Sequence, residues 1–215
     1  VAAANTLTDA AMFNSGQCCC GIERIYVCEQ HYDDLLSRMV ALIKQYRLGN
    51  PLALETTLGP MANKRFALHV RTQIAQAIEG GAVAHINTMP NDDGEGYLTP
   101  QLLTNVNHEM RIMREESFGP VVCLMKVKDD DEALARMNDS DYGLTVSLWT
   151  QDTARATRLG EQLETGTVFM NRADYLDPAL CWTGCKNTGR GGSLSVIGFH
   201  NLTRPQSYHF KKYTK

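Results

Sequence analysis

Three adjacent cysteines, Cys18-Cys19-Cys20, follow Phe13-Asn14-Ser15-Gly16-Gln17 and precede Gly21. A thiol beside a glycine turn, just after an amphipathic segment, is a natural nucleophile, because exposed backbone N–H groups in such a turn stabilise a thiolate or an oxyanion. Ala2 to Met12 has alanine-rich helical spacing and Ser15-Gly16 breaks it, so the cysteines are expected where a helix gives way to a turn. On chemistry alone a second reading stands beside the first: free cysteine is among the most buried residue types, and three in a row also fit as small apolar fillers. No metal is expected. Adjacent cysteines should not wrap one tetrahedral ion, the chain has no Cys-x-x-Cys pair, and the nearest histidine, His31, falls in the next helical segment.

The elements that must position these thiols alternate along the chain. Glu23 to Val27 reads as a short strand, and Gln30 to Tyr46 as an amphipathic helix with Leu35, Leu36, Met39, Leu42 and Ile43 on one face. Gly49-Asn50-Pro51 stops it. Asn63 to Ile78 is a second such helix, Ala82 to Ile86 a strand after Gly80-Gly81, and the polar Asn91 to Gly96 stretch a surface loop or hairpin tip. Pro120 to Val127 is apolar enough for a buried strand. Asp129 to Met137 (acid-capped) and Asp152 to Leu163 read as helices, Thr145 to Thr150 and Thr167 to Asn171 as strands. Strands separated by helices imply parallel crossovers, hence a layered α/β fold.

Composition fits an ordinary globular chain. With 215 residues, 43% hydrophobic and 21% charged, a sizeable core is possible, and the formal charge of −3 without a basic stripe argues against a nucleic-acid partner. No apolar stretch approaches the roughly 20 residues that span a bilayer, and no signal peptide is visible, so no membrane partner is expected. Seven cysteines, three of them adjacent, suit a reducing cytoplasm better than a disulfide framework.

Phe13-Asn14-Ser15-Gly16-Gln17-Cys18-Cys19 resembles the F-x-x-G-Q-x-C motif of the aldehyde dehydrogenase superfamily. Glu115-Glu116-Ser117-Phe118-Gly119-Pro120 resembles its E-E-x-F-G-P segment, and Gly96-Tyr97-Leu98-Thr99-Pro100 the strand-and-proline stretch before it. Asp141-Tyr142-Gly143-Leu144 is similar to its Y-G-L turn, and Gly166-Thr167-Val168-Phe169-Met170-Asn171 to its G-x-v-x-x-N strand. These occur in the family's order over nearly the whole chain.

The resemblance implies a three-layer α/β/α sandwich with a mostly parallel sheet, residues 1–200 forming the catalytic domain and 201–215 a carboxyl-terminal oligomerisation tail. It makes Cys19 the catalytic nucleophile, Glu116 and Phe118 contacts of the nicotinamide ribose of NAD or NADP, and Asn171 a support of the active-site wall. Without it, Glu115-Glu116 reads as a solvated helix end, Phe118 as core and Asn171 as a strand-ending turn residue. Cys18 and Cys20, with Tyr175 and Leu176 of the segment that stands where the family has its substrate-channel loop, are assigned to the substrate pocket. The family's coenzyme-binding domain, its glutamate general base and its oxyanion-holding asparagine have no counterpart here, so the chain is expected to be a fragment, inactive alone. Gly189-Arg190-Gly191-Gly192 makes a poor phosphate cradle.

The implied reaction is oxidation of a small aldehyde to a carboxylic acid through a Cys19 thiohemiacetal and thioester. Arg204 to Phe210 alternates like an edge strand, which in the family pairs with another subunit, implying a homodimer or homotetramer. Trp182-Thr183-Gly184-Cys185-Lys186-Asn187-Thr188-Gly189 departs from the family's P-F-G-G-x-K-x-S-G, which places the chain on an outlying branch. Two alternatives have their own signatures. A cysteine-dependent esterase or acyl transferase needs a base such as His31, His69 or His85 beside Cys19, and a non-catalytic interaction domain needs no reactive thiol.

Overall fold

The computed structural model describes residues 1–173 and 176–213. Helix α1 (Ala2–Met12) runs into a tight turn, then strand β1 (Arg24–Cys28) and helix α2 (Glu29–Ile43). Helix α3 (Lys64–Glu79) is capped by the Asn63 side chain, which accepts from Arg65 N–H. Next come β2 (Val83–Ala84), β3 (Gln101–Thr104), β4 (Val121–Val127) and α4 (Asp130–Asn138), whose first turn carries three acids behind the Asp129 cap. Strands β5 (Tyr142–Gly143) and β6 (Thr145–Leu148) precede α5 (Thr153–Gly160) and β7 (Thr167–Met170). Short strands β8 (Trp182–Thr183), β9 (Cys185–Lys186) and β10 (Gly192–Ser193) lead to α6 (Ser195–Leu202).

The main sheet has the order β1-β4-β3-β2, with β1, β4 and β3 parallel and β2 antiparallel at the edge. The pleat divides its side chains between two cores. Val122, Leu124 and Leu102 pack with Leu7, Met39 and Ile43 of α1 and α2, whereas Val121, Cys123 and Leu103 pack with Ala67, Val70 and Ala77 of α3. Helices on both faces of a mostly parallel sheet make the expected three layers. Strands β6 and β7 pair in parallel through the α5 crossover as a separate two-stranded sheet, and β5 with β9 and β8 with β10 form small antiparallel pairs. No helix among the described residues is long and apolar enough to cross a membrane.

Two expectations are corrected. The strand near Pro100 lies after it, at Gln101–Thr104, and not over Gly96 to Pro100: proline has no N–H to give a ladder, whereas Gln101 N–H donates to Pro120 C=O at 2.8 Å. The tail forms no strand; residues 204–213 are exposed, and a ladder needs a neighbouring strand that the described residues do not provide there.

The loop from Asn91 to Gly96 is built on one carboxylate. Asp92 accepts from Arg71 Nη2 at 2.7 Å, Thr99 Oγ1 at 2.7 Å, Thr99 N at 2.8 Å and Gly94 N at 3.0 Å. Burial pushes its pKa up, but the Arg71 and Thr99 bonds outweigh that and hold the carboxyl at about 2. The unfolded chain therefore takes up this proton first on acidification. We expect about 2 kcal/mol of stability, fully present above about pH 4, to disappear as the pH falls to about 2. Asp92→Asn should lose that increment at neutral pH and flatten the acid limb, which urea unfolding at a series of pH values measures.

Candidate active site

The turn after α1 is made by three successive residues in the left-handed region, Asn14 (φ 51), Ser15 (φ 57) and Gly16 (φ 73). Asparagine and glycine tolerate that conformation, and Ser15 is held in it by donating from Oγ to Gly59 C=O at 2.7 Å. Gln17 Oε1 accepts from Ala62 N at 2.8 Å, so both ends of the turn are tied to the segment before α3. The chain then folds over itself at the cysteines, with Gly21 N–H donating to Cys18 C=O at 2.9 Å.

This turn gives the three thiols different exposure. Cys19 is exposed, Cys18 half-buried, and Cys20 buried. Cys18 and Cys19 line a cavity of about 840 Å³ together with Glu23, Glu116, Trp149 and Thr150; Cys20 is not among its walls. Burial, reinforced by the Cys18 thiol 3.4 Å away, pushes the Cys20 pKa up to about 12, and burial does the same to Cys123 in β4. No acceptor among the described residues takes the Cys19 backbone N–H, which is free to bind an oxyanion. An alkylating agent at neutral pH is therefore expected to modify Cys19 at least about tenfold faster than Cys20 or Cys123. Peptide mass spectrometry over a time course reads the order, and a faster Cys20 would contradict this assignment.

The same turn keeps the three thiols close together. Their three sulfurs all lie within 4.8 Å of one another.

Of the paired carboxylates, Glu115 is occupied by Arg111, which donates to it at 2.7 and 2.9 Å and holds its pKa below the usual range. Glu116 has no hydrogen-bond or ion-pair partner among the described residues and stands at the cavity wall, a carboxylate free to accept from a pair of hydroxyls. Phe118 lies outside that wall, 39% exposed, with φ 51, a strained conformation for an aromatic residue. Asn171 ends β7 in the left-handed region; its amide donates to Thr150 C=O at 2.8 Å and its Oδ1 accepts from Thr150 N at 3.1 Å. It thus fastens Thr150, a cavity residue, to the neighbouring strand. Leu176 is exposed and away from the cavity, and Tyr175 lies outside the described residues.

One residue of the site was missed from sequence. Both carboxylate oxygens of Glu23 lie 3.0 Å from Ser117 N, and Oε1 is 2.9 Å from Phe118 N. Burial pushes its pKa up and the two N–H groups oppose that. A carboxylate just before a strand whose centre is apolar, four residues after Cys19, was the available signal.

None of the histidines that an acyl transferase would need bonds to a cysteine. His31 meets Gln30, His85 bonds Thr104 Oγ1 at 2.8 Å, and Cys19 has no side-chain partner among the described residues.

The profile of the aldehyde dehydrogenase family matches residues 1–208. An aldehyde dehydrogenase of Paenarthrobacter nicotinovorans is 40% identical over 195 residues, covering 90% of this chain and 42% of its own length. The lactaldehyde dehydrogenase of Escherichia coli superposes with a TM-score of 0.88 at 32% identity, over 93% of this chain and 42% of that one. An NAD+ complex of a Bacillus cereus aldehyde dehydrogenase superposes with a TM-score of 0.89 at 29% identity, over 94% and 41%. The chain thus spans about two-fifths of the length of the relatives it matches.

Proposed function

This chain belongs to the aldehyde dehydrogenase family, and from that premise we propose that it supplies the nucleophilic half of an NAD(P)-dependent oxidation of an aldehyde to a carboxylic acid. The observation that carries the proposal is Cys19, an exposed thiol on a cavity wall beside a free backbone N–H. The sulfur attacks the aldehyde carbon, forming a C–S bond while the carbonyl oxygen takes the charge as a thiohemiacetal, and the Cys19 N–H donates to that oxygen. After oxidation the sulfur carries the acyl group as a thioester; water cleaves the C–S bond, releasing the acid and returning the thiolate.

NAD or NADP, when bound, supplies the hydride acceptor for the oxidation. The unpaired Glu116 at the cavity wall fits a ribose diol, and the resemblance gives Phe118 the neighbouring contact. Glu116 and Phe118 would hold the nicotinamide ribose, one end of the coenzyme. The resemblance assigns the general base and the second oxyanion donor to residues outside the stretch that matches this chain, and turnover would need both. Cys18 lines the substrate side, and Tyr175 and Leu176 belong to the specificity loop.

We assign residues 1–200 to the catalytic domain and 201–215 to an oligomerisation tail. Exposed Val196, Phe199, Leu202, Tyr208 and Phe210 support a homodimer or homotetramer, since such apolar surface is costly in water. All seven cysteines are free, which supports a cytoplasmic setting. The test is formation of NADH or NADPH from short, aromatic and hydroxylated aldehydes by the product of the complete reading frame; absence of any Cys19-dependent turnover would reject the reading.

A further inference from the structure

We propose that Glu23 is a positioning residue for the coenzyme-contacting loop: its carboxylate fixes the backbone at Ser117 and Phe118, and so sets where Glu116 and Phe118 stand relative to Cys19. The inference rests on the roles given above to Cys19, Glu116 and Phe118.

Glu23 lies four residues after Cys19 in sequence, at the mouth of β1. Its side chain has no ion-pair partner among the described residues; its direct compensation is the pair of backbone N–H groups at 2.9 to 3.0 Å. A part-buried carboxylate sharing a cavity wall with a second one, Glu116, is an expensive choice for packing alone. It suits a site where two N–H groups must be held side by side. Those two groups belong to Ser117 and to Phe118, whose left-handed φ of 51 persists only under such constraint.

The grip is braced on both sides. Cys123 N–H donates to Glu23 C=O at 2.9 Å, locking the residue to β4, and the adjacent Arg24 donates from Nη1 to Met113 C=O at 3.1 Å, holding the other end of the same loop. One short stretch of chain thus carries the thiol and clamps the segment that meets the coenzyme.

The experiment compares Glu23→Ala and Glu23→Gln with the unaltered protein, each as the product of the complete reading frame. NADH titration, steady-state kinetics, amide hydrogen exchange at Ser117 and Phe118, and Cys19 alkylation are measured. Glu23→Ala is expected to raise the coenzyme KM and Kd at least about tenfold with kcat within about threefold, since binding geometry is lost and the thiol is untouched. Exchange at the two amides should rise at least about tenfold, while Cys19 alkylation stays within about twofold. Glu23→Gln keeps the volume and one acceptor oxygen and should fall between; it decides by the same readouts where the alanine variant does not fold. Unchanged exchange or unchanged coenzyme KM in the variants overturns the role of Glu23 alone. An unaltered protein that binds no coenzyme overturns it together with the dehydrogenase reading, so the two failures are distinct.

Discussion

Cys19→Ala is expected to lower aldehyde-dependent NADH or NADPH formation by at least about 10⁴-fold while leaving the fold intact, because the thiohemiacetal and thioester have no other atom to form on. The side chain is exposed and has no hydrogen-bond partner among the described residues, so its truncation should move stability by less than about 0.5 kcal/mol. The neighbours separate the chemical role from the structural one. Cys20→Ala removes a buried thiol that is only 8% exposed, so it should cost about 1 kcal/mol of stability and little activity beyond that. Cys18→Ala trims the cavity wall and should alter aldehyde preference more than the maximal rate. Steady-state kinetics and thermal melts of the three variants decide the matter. Turnover surviving in Cys19→Ala but lost in Cys20→Ala would move the nucleophile to the buried position and contradict the assignment of Cys19.

The helix ending at Met12 and the turn that follows were legible because alanine-rich spacing stops at Ser15-Gly16, and β4 because a run of seven largely apolar residues has few other places to go. Strand β3 was not, for a physical reason. Gln101–Thr104 is buried at all four positions, so it shows no alternation, and its pairing depends on Val121 to Cys123, distant in sequence. The same distance hid Glu23, whose hydrogen bonds reach residues more than 90 positions away. The convergence of the cysteine sulfurs was also illegible, since adjacency in sequence says nothing of a turn that brings Cys18 over Cys20. Local periodicity announced the frame. Contacts between loops set the site.

Gly16→Ala is expected to be the most damaging single substitution outside the thiol. A Cβ at Gly16 would lie 2.0 Å from Gly119 O, 2.2 Å from its carbonyl carbon and 2.7 Å from Pro120 N. These are backbone atoms, so no side-chain rotation relieves the overlap. Nor can the Gly119 loop retreat freely: it is packed so closely against α3 that a Cβ at Gly119 would itself meet Val70 Cγ2 at 2.6 Å. Either the cysteine turn or the Phe118 loop must shift, and they are the two surfaces whose spacing sets thiol against coenzyme. The left-handed φ of 73 adds roughly 1 to 2 kcal/mol for a residue with a side chain, and overpacking adds roughly 1 to 3, for a total of about 2 to 5 kcal/mol. Activity at a temperature where the variant stays folded should still fall at least about 100-fold, because a displacement near 1 Å suffices for that. Gly94→Ala is the control: φ there is 72, and a Cβ meets nothing within 4 Å. It incurs the conformational cost without the contact, so about 1 kcal/mol and no loss of activity are expected. Urea unfolding and kcat/KM of the two variants isolate the close approach of the loops; equal losses in both would show that backbone strain, and not the fit of Gly16 against Gly119, is what the glycine serves.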